Sequence, residues 1–115
     1  MIRKAEECKV EYREKMREGN GTVQITNFAS AQELNDKGRL FGKITLNPGC
    51  SIGYHIHEKD TELFYIIKGT AVYTDGDTDK VVTAGDVTIC PTGTGHSIAN
   101  NTDGVVELIA LIVYP

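Results

Sequence analysis

Two histidines and a glutamate occur close together in the chain, at a spacing that suits metal binding. His55 and His57 are two residues apart, and on an extended strand side chains at that spacing leave the same face of the sheet. Glu62 follows after a polar, turn-like stretch at positions 58–61. If the strand doubles back there, the carboxylate comes to lie beside the two imidazoles. Ring nitrogens and a carboxylate oxygen together suit a transition-metal ion.

A third imidazole is available further along the chain, at His96, and all three histidines of the sequence fall within two stretches. The first stretch reads glycine, five residues, His-x-His, four residues, glutamate, six residues, glycine. The second reads glycine, five residues, Pro-x-Gly, two residues, histidine, three residues, asparagine. The motif positions are Gly49, His55, His57, Glu62 and Gly69, then Gly85, Pro91, Gly93, His96 and Asn100. With both motifs complete, the chain resembles the cupin superfamily.

This resemblance implies a fold and a metal site. It implies that His55, His57, Glu62 and His96 are the four ligands of one divalent metal ion. Three imidazoles and a carboxylate suit iron, manganese, nickel, copper or zinc, whereas calcium and magnesium prefer oxygen ligands. The implied fold is the double-stranded β-helix of the cupins, a jelly-roll barrel whose interior would hold the ion. No organic cofactor is expected.

The resemblance further implies a function for the metal. Four protein ligands in an octahedral shell would leave two positions for water, dioxygen or a bidentate substrate. We therefore expect a metal-dependent enzyme of the oxygenase, decarboxylase or isomerase type that acts on a small organic substrate. The alternative is a non-catalytic module that binds or senses a small ligand. Oxalate decarboxylation is less expected, because the short stretch between Gly69 and Gly85 leaves little room for the acidic lid of family members with that activity.

Five further residues are candidates to line the pocket around the metal, and they are Phe64, Ile66, Tyr73, Ile98 and Asn100. The aromatic and aliphatic side chains would contact a substrate or pack in the core, and the pattern does not separate these roles. Asn100 would either donate a hydrogen bond near the ligands or form a turn with the residues that follow it. The pocket is expected to be mostly apolar and to lack a free acid or base, so the catalytic residues stay unassigned.

Length, charge and cysteine content exclude several classes of protein. A chain of 115 residues suits a single domain. A net charge of −4 without a basic run argues against a nucleic-acid partner. The N-terminus is charged from its third residue and no apolar run reaches membrane-spanning length, so we expect a cytoplasmic protein without a membrane partner. Three cysteines do not suggest a disulfide framework. We interpret Cys50 and Cys90 as small buried residues in preference to soft thiolate ligands of a metal.

Short apolar segments separated by turn signals predict an all-β domain. Strands are expected at 22–26, 38–46, 63–67, 71–74, 80–83, 87–90, 96–100 and 105–114. Ser30 and Glu33 have the form of a capping box, which predicts a helix of only one or two turns that ends at Gly38. Residues 1–18 fit a helix or a strand equally well. We interpret residues 1–21 as an N-terminal extension and residues 22–115 as the barrel.

Some of the expected strands are apolar on both faces. This holds for the segment from Leu63 to Ile67, while the run from Val105 to Tyr114 is interrupted only by Glu107. A strand of this kind is expected to be covered on both sides. Together the two segments offer more apolar surface than one small barrel can hide, which predicts a homodimer.

Overall fold

The computed structural model describes residues 1–115, and it folds almost entirely as antiparallel β-structure. The strands are β1 (Lys9–Glu14), β2 (Thr22–Asn27), β3 (Gly38–Leu46), β4 (Ser51–Ile56), β5 (Thr61–Lys68), β6 (Thr70–Asp75), β7 (Thr78–Thr83), β8 (Val87–Cys90), β9 (Gly95–Ala99) and β10 (Val106–Val113). Two 3-10 segments, Ala5–Glu7 and Met16–Glu18, are each three residues long. Neither is long enough to cross a membrane.

The strands form two sheets that face each other. The larger sheet has the order β1-β2-β3-β10-β5-β8, and the smaller one has the order β4-β9-β6-β7. Every pairing is antiparallel. The all-β class and the double-stranded β-helix predicted from the sequence are confirmed.

The core fills the space between the two sheets, because apolar residues alternate along each strand. In β10 every second residue is buried, and the same alternation runs through the second half of β3. The buried cluster combines side chains of the larger sheet, such as Ile44 and Leu108, with side chains of the smaller sheet, such as Ile52 and Ile98. Two half-buried sheets thus become stable by covering each other's apolar faces.

Part of the N-terminal segment forms strand β1. The spacing of its apolar side chains had allowed either a helix or a strand. Lys9–Glu14 pair with β2 along their whole length, with Tyr12 opposite Gln24. The side chain of Tyr12 is largely exposed. This edge strand is therefore held by backbone hydrogen bonds more than by an apolar face.

The helix of one or two turns predicted between Ser30 and Gly38 is present only as a single hydrogen-bonded turn, in which the Leu34 N–H donates to the Ser30 carbonyl oxygen (3.1 Å). The capping interactions do form: the Ser30 backbone N–H donates to Glu33 Oε1 (2.9 Å), and the Glu33 N–H donates to Ser30 Oγ (3.1 Å). However, Asn35 and Asp36 adopt left-handed conformations with φ of 57° and 56°. Left-handed residues end a right-handed helix, so only one turn follows the cap.

A β-bulge shapes the strand that carries His55. Ile52 of β4 pairs with Ile98 of β9, and His55 pairs with His96, so β4 has one more residue than β9 over this interval. In a regular strand, Ile52 and His55 would point to opposite faces because they are an odd number of residues apart. The extra residue lets both point into the barrel. Tyr54 and Ile56 point outward and are about half exposed.

The outer face of β5 is not covered within one chain, although both of its faces are apolar. Phe64 and Ile66 are buried in the core, whereas Tyr65 is 47% exposed and Ile67 is 39% exposed. The expectation that this strand is covered on both sides is wrong for the single chain. The two sheets enclose only the inner face.

Candidate metal centre

Four side chains from three strands and a loop converge on one point inside the barrel. The ligand atoms of His55, His57, Glu62 and His96 all lie within 4.8 Å of one another. His57 Nε2 lies 3.1 Å from His55 Nε2 and 3.1 Å from His96 Nε2. Glu62 Oε1 lies 3.0 Å from both His57 Nε2 and His96 Nε2. The structure thus brings together all four residues singled out in the sequence.

The topology explains why residues so far apart in sequence meet here. His55 on β4 pairs directly with His96 on β9 in the smaller sheet. His57 follows the end of β4, and the chain then turns and enters the larger sheet at β5, where Glu62 is the second residue. The cluster therefore joins the two sheets at one end of the barrel. The imidazoles come from the smaller sheet and the loop that leaves it, and the carboxylate comes from the larger sheet.

Two of the imidazoles have a fixed tautomer. His55 Nδ1 lies 2.7 Å from the Gly53 carbonyl oxygen, and His57 Nδ1 lies 2.6 Å from Asp60 Oδ1. A carbonyl and a carboxylate can only accept, so each Nδ1 carries the proton and donates it. The lone pair of each Nε2 is then directed at the centre of the cluster. This pattern, in which the outer nitrogen donates to the protein, is typical of metal-binding histidines.

The electrostatics of the cluster fit a cation. The lone pairs of His55 and His57 and the carboxylate of Glu62 face one another, and the Glu62 residue is only 5% exposed. Acceptors that face one another in a buried site are costly unless a proton or a cation lies between them. A divalent ion bound at their centre would satisfy all of them at once. The residues therefore fit a metal ion.

The pKa shifts of Glu62 and His57 indicate that positive charge is favoured beside the Glu62 carboxylate. Burial opposes ionisation of Glu62, but hydrogen bonds with His57 and His96 outweigh it and hold the pKa of the carboxyl below its ordinary value. The hydrogen bond to Glu62 raises the pKa of His57, against burial and with help from Asp60. Burial lowers the pKa of His55. Glu62 is therefore a carboxylate that attracts either a proton or a metal to the neighbouring rings.

His96 is held from behind by two aromatic residues. The ring of Phe64 stacks on the His96 ring with a centroid separation of 5.1 Å and an interplanar angle of 20°. The hydroxyl of Tyr73 lies 2.8 Å from His96 Nδ1. Burial raises the pKa of Tyr73 to about 12, so the phenol is neutral and keeps its proton. These contacts fix the orientation of the His96 ring.

The open side of the cluster faces a cavity of about 480 Å³. Its walls include His55, His57 and Glu62 together with apolar side chains and residues near the N-terminus. The further lining residues are Glu11, Tyr12, Arg13, Glu14, Lys15, Met16, Arg17, Ile25, Asn27, Arg39, Leu40, Ile44, Ile52 and Ile112. The expectation of a mostly apolar pocket without a free acid or base is wrong, because β1 and the turn after it bring charged side chains to the cavity.

The five residues expected to line the pocket do not line this cavity. All are buried, and they are Phe64, Ile66, Tyr73, Ile98 and Asn100. They lie on the core side of the centre because Phe64 and Tyr73 pack behind the His96 ring. Asn100 instead donates from Nδ2 to the carbonyl oxygens of Leu46 and Gly104 (both 2.8 Å). It holds a turn, which is the second of its two expected roles.

Sequence reasoning missed Asp60 and Arg39. Asp60 is 6% exposed and links two functional groups: Oδ1 accepts from His57 Nδ1, and Oδ2 accepts from Arg39 Nε at 2.7 Å. In the sequence, Asp60 looked like one of several polar turn residues. A carboxylate three positions after a metal-ligating histidine is a signal that could have identified it, whereas Arg39 lies in a distant strand and gave no signal.

The cysteines lie outside the cluster. Cys90 is buried and donates weakly from Sγ toward the Thr94 carbonyl oxygen (3.5 Å), and burial raises the pKa of its thiol. Cys50 packs against the edge of the core. Neither belongs to the group of residues that could hold a metal ion, so both are interpreted as packing residues.

Comparison with known proteins shows which family and which relatives this chain is similar to. A family model described as the cupin domain matches residues 42–114. The chain is 35% identical to the oxalate-binding protein of Thermotoga maritima over 113 residues, which cover 98% of this chain and 93% of the relative.

Solved structures show the same architecture. A crystal structure of a protein from Thermotoga maritima, described as a predicted oxalate decarboxylase, superposes with a TM-score of 0.95 at 35% identity, and the match covers 100% of both chains. The cupin domain of Schizosaccharomyces pombe Cnp3 superposes with a TM-score of 0.73 at 17% identity, over 81% of this chain and 61% of that one. The second likeness concerns the fold alone.

Proposed function

We propose, from the premise that this chain belongs to the cupin domain family, that it binds one divalent transition-metal ion and, with it, a small carboxylate ligand of the oxalate type. His55, His57, Glu62 and His96 would hold the ion. The single observation that carries the proposal is the convergence of their four ligand atoms within 4.8 Å, beside a cavity that His55, His57 and Glu62 line.

The donor set supports a transition metal. Imidazole nitrogen is a good ligand for iron, nickel, copper and zinc, and one carboxylate suits manganese as well. Calcium and magnesium are less suitable, because they take mainly oxygen ligands. When bound, such an ion supplies a Lewis acid that attracts and polarises carboxylate oxygens. Four protein donors are fewer than an octahedral ion takes, which leaves room for a ligand.

The chain's own residues would orient the ligand and restrict water. Leu40, Ile44 and Ile52 form an apolar part of the cavity wall, which lowers the local dielectric and strengthens charge interactions at the centre. Arg39 brings positive charge to the same cavity. Together with a bound cation, its guanidinium favours an anionic ligand over a neutral one.

The name of one relative narrows the class of anion. The Thermotoga maritima protein that is 35% identical over nearly the whole chain is named an oxalate-binding protein. Oxalate has two adjacent carboxylates and can use two oxygens at one ion. We therefore place oxalate and close analogues first among the candidate ligands.

A metal-dependent enzyme is the second candidate function. Glu11 and Glu14 line the cavity without belonging to the metal cluster. Glu11 is paired with Arg13 at 3.4 Å, whereas the Glu14 carboxylate makes no hydrogen bond or ion pair within the protein. A carboxyl group near a bound substrate could transfer a proton. The relative described as a predicted oxalate decarboxylase makes decarboxylation the first reaction to assay.

The proposal is tested by metal analysis and calorimetry of the purified protein. We expect about one transition-metal ion per chain, and oxalate binding that requires the ion. Glu62→Gln keeps the shape of the side chain but removes the negative charge, so metal affinity should fall by about 10–100-fold or more. Glu107→Gln is the matched control, because Glu107 pairs with Lys43 at 3.1 Å away from the cluster. Metal content unchanged by Glu62→Gln would contradict the proposal.

Oxygen consumption and carbon dioxide release distinguish the two candidate functions. The metal-loaded protein would be incubated with oxalate, with and without dioxygen. Turnover by the metal-loaded wild type would identify an enzyme, and its loss in Glu14→Gln with oxalate binding retained would assign the proton transfer to Glu14. Tight oxalate binding without turnover under every metal would identify a binding protein.

A further inference from the structure

Arg39 occupies an irregular position in β3 beside the cavity. Ile112 of β10 pairs with Leu40, and the next residue, Val113, pairs with Gly38. Arg39 is therefore an extra residue without a partner in β10, which is the arrangement of a β-bulge. Bulges re-aim side chains and are frequent beside functional sites. In this case both Arg39 and its neighbour Leu40 line the cavity.

The guanidinium of Arg39 is fixed on one side by a buried acid. Its Nε donates to Asp60 Oδ2 at 2.7 Å, and the Asp60 side chain is 8% exposed, compared with 41% for that of Arg39. Asp60 Oδ1 in turn accepts from His57 Nδ1. The planar guanidinium of Arg39 is therefore linked to His57 of the metal cluster through these two hydrogen bonds.

The two terminal nitrogens of the Arg39 guanidinium are free to bind a ligand. The two terminal nitrogens of Arg39 make no hydrogen bond or ion pair within the protein, since the one bond formed by this side chain uses Nε. A guanidinium presents its donors in a rigid plane that matches two carboxylate oxygens. A held guanidinium also loses less side-chain entropy on binding than a free one.

The other cations of the cavity are held less firmly. Arg13 is 53% exposed in its side chain and pairs with Glu11 at 3.4 Å. Lys15 and Arg17 have no ion-pair partner and belong to the turn after β1. Long side chains in such positions add to the general positive field but do not fix the position of an anion.

We propose that Arg39 makes the site selective for small ligands with two carboxylate groups. The metal centre engages one set of ligand oxygens, and the terminal nitrogens of Arg39 bind carboxylate oxygens that remain. This inference rests on the proposed function, because it needs a carboxylate at the metal centre. It assigns Arg39 a role in specificity that the metal ligands cannot supply, since a metal ion alone also binds monocarboxylates.

Calorimetry with zinc-loaded protein tests the assignment, with oxalate and acetate as the two probes. Arg39→Gln should weaken oxalate binding by about 10–100-fold, which is the effect of losing a charge-assisted pair. Acetate binding should change by less than about threefold, because acetate has no second carboxylate for the fork. Arg39→Lys keeps the charge but not the fork, so it should recover less than half of the lost oxalate affinity on a logarithmic scale.

Arg17→Gln is the matched control, because it removes one positive charge from the same cavity. Its oxalate affinity should stay within about threefold of the wild type. Zinc content is measured for every variant and should be unchanged.

Four results would overturn the assignment. Oxalate binding by Arg39→Gln at wild-type strength would remove the role of Arg39 and leave the proposed function intact. Equal losses in Arg39→Gln and Arg17→Gln would show a general charge effect without selectivity. Loss of zinc from Arg39→Gln would show that Arg39 acts on the metal centre through Asp60 instead of on the ligand. If zinc-loaded wild type binds neither probe, both the assignment and the carboxylate part of the proposed function fail.

Discussion

At the scale of single residues, Asp60 links the metal cluster to Arg39, because its buried carboxylate accepts hydrogen bonds from two neighbours. It accepts the Nδ1 proton of His57 with one oxygen and the Nε proton of Arg39 with the other. Burial raises the pKa of Asp60, but the hydrogen bonds from Arg39 and His57 outweigh it and lower the pKa overall. Asp60 is therefore charged, and it keeps His57 in the tautomer that directs a lone pair at the metal site.

Asp60→Asn is expected to weaken metal binding without unfolding the chain. An amide can still accept from His57, but its nitrogen cannot accept from Arg39, and the negative charge that makes His57 a better ligand is lost. Losing such an outer partner typically costs about 10–100-fold in metal affinity. The measurement is a competition titration of zinc against a chelator of known affinity.

Asp79→Asn provides the control for this change. Asp79 accepts a hydrogen bond from Thr74 Oγ1 at 2.6 Å in the β6–β7 hairpin, so the same chemical change occurs outside the metal cluster. Zinc affinity should be that of the wild type. If Asp60→Asn also bound zinc like the wild type, the orienting role of Asp60 would be refuted.

The four residues of the metal cluster could be predicted from the sequence, and their neighbours could not. His55, His57, Glu62 and His96 were recognisable because residue type and spacing are fixed together in the two motifs. The pairing of Asp60 with Arg39 depends on how two strands far apart in sequence lie side by side. A single sequence contains no record of such contacts.

At the scale of the elements, the alternation of apolar and polar residues predicted the strands, but it did not predict the bulges and the turn that interrupt the regular pattern. Turn signals and period-two patterns placed β2, β3 and β6–β10 close to their observed limits. The bulges in β3 and β4 could not be predicted from the sequence, because an extra residue changes the direction of the side chains without changing the composition of the strand. The end of the turn after Ser30 at Asn35 and Asp36, before Gly38, was also not predicted, since left-handed conformations are permitted by their side chains without being required.

The turn after β1 packs so closely on β4 that only glycine fits at the contact. A Cβ at Gly53 would collide with the carbonyl oxygen of Arg17, and one at Gly19 would collide with the carbonyl oxygen of Ser51. The carbonyl oxygen of Gly53 also accepts the hydrogen bond from His55 Nδ1. The contact therefore joins the wall of the cavity to the strand that carries a proposed metal ligand.

Gly53→Ala is expected to destabilise the protein by about 1–3 kcal/mol, which is the usual cost of forcing extra volume into a packed contact. The measurement is equilibrium unfolding in urea. Gly104→Ala is the control, because a Cβ at Gly104 meets no atom within 4 Å. That variant should be as stable as the wild type or slightly more so, since alanine restricts the unfolded chain. Equal stability of all three proteins would show that the turn does not pack tightly on β4.

At the scale of the whole molecule, the larger sheet leaves apolar side chains unprotected on its outer face. Tyr65 of β5 pairs with Val87 of β8, and Leu63 pairs with Ile89. Tyr65, Val87 and Ile89 are 47%, 58% and 55% exposed. Neighbouring apolar residues on two adjacent strands form a continuous patch, and patches of this kind are typical of protein interfaces. The predicted homodimer would use this face.

We expect sedimentation equilibrium to give a mass about twice the 12.6 kDa of one chain, since a C2 dimer can bury the same patch on both copies. Tyr65→Lys places a charge in the middle of the patch and should shift the protein toward monomer, because an unpaired charge is costly to bury.

Val81→Lys is the control, since Val81 is 68% exposed on β7 of the other sheet, and its mass should match the wild type. A monomeric wild type at micromolar concentration would refute the dimer, and a dimer unaffected by Tyr65→Lys would place the interface elsewhere. Because the metal cluster lies between the sheets and the patch lies outside them, Tyr65→Lys should keep its zinc, which separates loss of the dimer from loss of the fold.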